Sequence, residues 1–223
     1  MKSYVYKMKL VEANFFALFI YILLFVISYI LKVNFIVASD DIFLLFILLL
    51  AYFFLHELLH GLGYYLGGAK RENIVYGIEL DKGIFYTLCN QEISKFNILL
   101  SLQMPFTVIG IVTYIIGVLI SSPMLVFLSI CNLGGAAMDI MMFIYIAKIK
   151  NVRYSENTSS DEFVLISDED LTKKKSLFFK IVEVKKYNKK DFIFKKSKKF
   201  TITKKSIVII VLFLLLGLIT KIV

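Results

Sequence analysis

The chain has two histidines, His56 and His60, and they stand four residues apart in "FFLHELLHGLGYYLGGAK" with Glu57 between them. Positions four apart share one face of an α-helix, so both imidazoles can address a single point. Glu57 projects about 100° further round the helix and can reach a water held at that point. The pattern H-E-x-x-H is that of zinc bound by two histidines with a glutamate as general base. Zinc lowers the pKa of a bound water toward about 7. The setting narrows the reading further. Residues 53–66 are otherwise apolar, and ionisable groups inside such a run each cost a few kcal/mol unless something compensates them. Metal ligation compensates them, and so does a polar network or a proton path.

A catalytic zinc site needs a third protein ligand and an open fourth position. With no third histidine, a carboxylate, a thiolate or a weaker donor must serve. Asp139, in "CNLGGAAMDIMMF", is the only charged residue between 121 and 147. It lies nine residues before Lys148, as His60 lies ten before Lys70, so the two sit at matching depth if their helices run parallel. Seven residues earlier, Asn132 falls on nearly the same helix face, where it could brace a ligand or position a substrate carbonyl. Glu79, Glu92 and Glu12 are weaker ligand candidates, since carboxylates outside apolar runs are usually solvated. Cys89 and Cys131 form no paired-thiol motif and read as packing residues.

The elements that must carry these residues are long and hydrophobic. Hydrophobic residues make up 59% of the 223, with no Trp and two prolines, which excludes an ordinary soluble domain. Segments 42–66, 96–120 and 124–147 each reach the roughly 20 apolar residues a bilayer span needs, and 15–31 and 207–223 are two further spans. The fold expected is an all-α polytopic membrane protein of about five transmembrane helices, with a short β-hairpin between the second and third and a basic cytoplasmic loop. Its parts would be an N-terminal anchor over 1–41, a core over 42–150, the basic loop over 151–205 and a terminal hydrophobic segment over 206–223. The hairpin rests on two β-prone runs, 73–80 and 84–89, joined by Asp81-Lys82-Gly83. A strand beside a reactive site could align an extended peptide.

Charge sets the orientation. The net formal charge is +9, and between 151 and 205 Lys and Arg outnumber Asp and Glu by nearly two to one. By the positive-inside bias, the N-terminus and this stretch face the cytoplasm of a multi-pass protein, most simply in the plasma membrane. Anionic headgroups, not nucleic acid, are the polyanion within reach of a tethered basic segment. The partners expected are therefore membrane lipids and a membrane protein or peptide substrate.

"HELLHGLGYYLGG" in an apolar segment, a β-prone connection leading to "SLQMPF", and a later "NLGGAAMD" resemble the family named "putative zincin peptidase". That family is similar in plan to site-2-type intramembrane metalloproteases. The resemblance covers residues 53–150 and implies His56, His60 and Asp139 as ligands to Zn²⁺, with Glu57 as catalytic base. The chain departs from the site-2 pattern in that Ile140, not Gly, follows Asp139, no Pro stands in the motif containing Asn132, and Asn132 sits at a different spacing. The function expected is a membrane-embedded zinc metallopeptidase. The alternative is a non-enzymatic membrane protein in which the same residues form a structural metal site or ion path and the basic loop recruits a partner.

Overall fold

The computed structural model describes residues 1–79, 84–156 and 162–188. The segment 207–223, expected as a fifth span, lies outside the described residues. Strand β1 (Lys2–Met8) leads into helix α1 (Leu10–Ile30), and α2 (Ile42–Leu66) carries the histidines. A two-stranded ribbon of β2 (Ile74–Glu79) and β3 (Ile84–Cys89) follows, then the short β4 (Ile93–Ser94). Helix α3 (Lys95–Pro105) continues through a π-helical segment, Phe106–Val112, into α4 (Thr113–Leu119). Helices α5 (Pro123–Gly135) and α6 (Ala137–Ala147) precede β5 (Val152–Glu156), β6 (Glu162–Ser167) and β7 (Phe179–Lys186).

The all-α expectation is overturned. A five-stranded antiparallel sheet in the order β4-β5-β6-β1-β7 occupies much of what the sequence suggested was anchor flank and basic loop. Its physical cause is a period of two. In "KSYVYKM" the tyrosines Tyr4 and Tyr6 point inward and are buried, while the flanking lysines stay partly or fully exposed. In β5, Tyr154 likewise enters the core, whereas the central β6 is buried on both faces from Phe163 to Ser167, and Tyr6 stacks on Phe163 with ring centroids 5.3 Å apart. Among the described residues, Lys2, Lys7, Lys180, Lys185 and Lys186 are thus outward-facing strand residues, not loop residues.

Among the described residues, three helical stretches are long and apolar enough to cross a membrane: Leu10–Ile30, Ser39–Leu66 and Lys95–Leu119. The segment expected as one straight span over 124–147 is two helices bent by 50°, and would be a fourth span if the pair counts as one. Along α1, Phe15, Phe19, Ile22 and Val26 are exposed. Where α1 meets α5 the backbone approaches closely. A Cβ on Gly134 would lie 2.2 Å from the Tyr21 ring, and the Tyr21 hydroxyl donates to Cys131 O at 3.0 Å.

Sheet and helices share one core, in which Tyr4, Tyr6, Leu165 and Phe179 pack with Ile98, Leu102, Met141 and Tyr145. The Tyr6 and Tyr145 hydroxyls are 2.8 Å apart, and Lys95 Nζ donates to Ala147 O and Ile149 O, satisfying carbonyls at the end of α6. The sheet also grips α2 directly, since the Tyr64 hydroxyl donates to Glu156 Oε1 at 3.2 Å.

Burial pushes the Glu156 carboxyl up from 4.5 to about 7, against the hydrogen bonds from Tyr154 and Tyr64. A raised folded-state pKa means the stabilising neutral form is fully favoured below pH 4.5 and lost as pH rises to 7. Glu156→Gln, permanently neutral, is expected to melt with the unmodified chain near pH 4.5 and several degrees higher at pH 8. Thermal unfolding in detergent at both pH values checks this, and equal melting at pH 8 would contradict it.

Candidate metal centre

Helix α2 continues unbroken through the histidine region, which stacks His56 and His60 one turn apart with ring centroids 4.8 Å apart. Their Nε2 atoms are 3.1 Å from each other. Asp139 Oδ2 lies 3.1 Å from His56 Nε2 and 3.4 Å from His60 Nε2. All three side chains are largely buried, with 11–17% of their surface exposed. Asp139 reaches this point because the chain breaks at Ala136 and restarts as α6. That break places the carboxylate in the first turn of a new helix, where the dipole favours negative charge.

The outer nitrogens are held just as firmly. His56 Nδ1 lies 2.9 Å from Asn132 Oδ1, and the Asn132 amide is oriented by its own Nδ2 donating to Pro105 O at 3.2 Å. An amide nitrogen committed to a carbonyl leaves only its oxygen for His56, so Nδ1 of His56 carries the proton. His60 Nδ1 donates to Ser101 O at 3.0 Å, and Ser101 Oγ returns a bond to His60 O at 2.9 Å. This reciprocal clamp depends on close helix contact, because a Cβ on Gly63 would lie 2.4 Å from Ser101 Cα.

With both Nδ1 atoms donating outward, two Nε2 atoms and Asp139 Oδ2 converge within 3.1–3.4 Å of one another. Such a cluster is satisfied by a shared proton or by a metal cation at its centre. Tetrahedral zinc with ligands at about 2.0–2.1 Å separates its donor atoms by about 3.3 Å, so the donor set and spacing fit Zn²⁺. Each histidine also has the outer hydrogen bond that orients metal-ligating imidazoles. The Glu57 carboxylate lies within 4.8 Å of the histidine ligand atoms, on the adjoining helix face.

The structure therefore brings together His56, Glu57, His60, Asp139 and Asn132, with Asn132 bonded to a histidine. Other candidates lie elsewhere. Glu92 pairs with Arg153 at 2.9 Å and Glu12 with Lys9 at 3.9 Å. Burial pushes the Cys89 thiol up to about 12, far from a ligating thiolate. The side chain of Glu79 is outside the described ones. Three contributors went unnoticed in the sequence: Ser101, Pro105 and Thr87, whose hydroxyl donates to Glu57 O at 2.8 Å. A lone Ser four residues before a Pro in an apolar run was the available signal for the first two.

Residues 49–154, which contain His56, Glu57, His60, Asn132 and Asp139, match the model of a family described as "Putative zincin peptidase". That match, over just under half of the chain, supports a zinc metallopeptidase at a coarse level. No curated protein and no solved structure matches the chain.

Asn132→Ala is expected to weaken zinc affinity about 10- to 100-fold while leaving the saturating stoichiometry unchanged. Ser101→Ala keeps the backbone carbonyl that holds His60 and should weaken it less. Competition with a metallochromic chelator measures both, and the reverse ranking would contradict the assignment.

Proposed function

We propose that the chain is a membrane-embedded zinc metallopeptidase that hydrolyses peptide bonds of membrane-associated substrates. The observation that carries this is the triangle of His56 Nε2, His60 Nε2 and Asp139 Oδ2, with the Glu57 carboxylate within 4.8 Å of the histidine nitrogens. Three protein donors fit a catalytic zinc site, in which a fourth position is left for water or substrate, better than a closed structural one.

When bound, Zn²⁺ supplies Lewis-acid polarisation of the scissile carbonyl and a more acidic water. His56, His60 and Asp139 hold that charge. Asn132 and Ser101 fix the imidazole tautomers and ring angles. Glu57 accepts a proton from the attacking water and delivers it to the departing amine nitrogen, so base and acid are one carboxyl group. Asn132 acts in this scheme as the brace of His56, because both ends of its amide are already committed.

Three helical stretches of spanning length support a site within the bilayer, and the partners are then lipids and a peptide entering from the membrane plane. The lysine-rich sheet, continuous with the helix ends, supports a cytoplasmic position for that face. The ribbon packed beside Glu57 is where an extended substrate would lie.

Glu57→Gln is the test. With zinc-loaded, detergent-purified protein and fluorescently labelled casein as probe, cleavage should fall about 10²- to 10⁴-fold with zinc content unchanged. Cleavage at the unmodified rate would contradict the proposal.

A further inference from the structure

The ribbon pairs Ile74 with Cys89 through Glu79 with Ile84, which sets Tyr76 directly opposite Thr87. Opposed residues of an antiparallel pair project from the same face. Here that face is turned to α2. The Thr87 hydroxyl donates to the Glu57 carbonyl at 2.8 Å. The Tyr76 phenol lies on Gly61: a Cβ built there would fall 1.9 Å from the hydroxyl oxygen and 2.5 Å from Cζ. Glu57 and Gly61 are four apart, on one face and about 6 Å apart along the axis. Gly61 also directly follows His60. A missing side chain on α2 thus makes a notch beside the base and the second histidine, and the Tyr76 hydroxyl fills it.

That hydroxyl is free to act. Tyr76 is 48% exposed, and among the described residues its hydroxyl has no hydrogen-bond partner. The other polar groups around the site are engaged: Asn132 between His56 and Pro105, Ser101 on His60, and Thr87 on Glu57. Hydrolysis of an amide places negative charge on the former carbonyl oxygen, and a positioned donor at that oxygen is a large contributor to rate.

We infer that Tyr76 is a further catalytic residue, its hydroxyl donating a hydrogen bond to the carbonyl oxygen of the bound peptide bond as negative charge develops there. No proton leaves Tyr76, so Glu57 still carries the only proton transferred. This rests on the peptidase reading and adds to it a donor on the ribbon. It also explains why a glycine stands after His60. Any side chain at position 61 would displace the phenol.

The test uses the zinc-loaded full-length protein and an apolar Leu–Leu phosphinic dipeptide, whose tetrahedral phosphorus presents anionic oxygen where the oxyanion would form. Calorimetric affinity is compared for the unmodified chain and Tyr76→Phe, which keeps the ring on Gly61, with zinc content measured in both. The expected result is zinc-dependent binding by the unmodified chain, weakened about 10- to 100-fold in Tyr76→Phe at equal zinc content. Equal affinity in the two would overturn the role of Tyr76 and leave the peptidase reading standing. No zinc-dependent binding by the unmodified chain would overturn both.

Discussion

Two imidazole nitrogens and one carboxylate oxygen are pressed within 3.4 Å of one another in a largely buried site. Much of the surrounding structure serves this constraint. The Asn132 and Ser101 bonds turn both protons outward, the break at Ala136 delivers Asp139 to the third corner, and the helix dipole of α6 favours its charge. Each of these costs the protein something, whether an interrupted span, a buried amide or close backbone contact at Gly63. They are compensated together when a cation occupies the centre.

The second organising feature is the contact between helices and sheet. The core that contains Tyr6, Phe163 and Tyr145 also contains Ile98 and Met141, on the helices that supply Ser101 and Asp139. A single packed unit therefore fixes α3 and α6 relative to α2, and the Tyr64–Glu156 bond ties α2 to the sheet one turn beyond His60. Precision at the site thus depends on strands from both ends of the described chain. The ribbon adds the opposite wall, placing Thr87 and Tyr76 against Glu57 and Gly61.

The polar residues of the centre could be read from the sequence because each is isolated in an apolar run, where chance is expensive. His56, Glu57, His60, Asn132 and Asp139 all stand out on that ground. Ser101 and Thr87 do not, because each works through a backbone carbonyl and hydroxyls of this kind leave little trace in a sequence. The sheet was missed for a different reason. Its strands alternate Lys with aromatic and aliphatic residues, which resembles the basic flank of a membrane span, and β1 pairs with strands more than 150 residues away. Only that pairing reveals which half of the alternation is buried. The bend within 123–147 was hidden by Gly134, Gly135 and two alanines, a run that serves helix packing equally well. Here it does both, admitting Tyr21 of α1 and ending α5.

The most direct test of the account is the zinc content of the detergent-purified protein, compared with His60→Ala and Asp139→Ala variants whose folding is matched by melting temperature. The account predicts one zinc per chain in the unmodified protein and loss of tightly held zinc in both variants. Zinc retained without Asp139, or none bound by the unmodified chain after zinc is added back, would contradict a centre built from these three side chains.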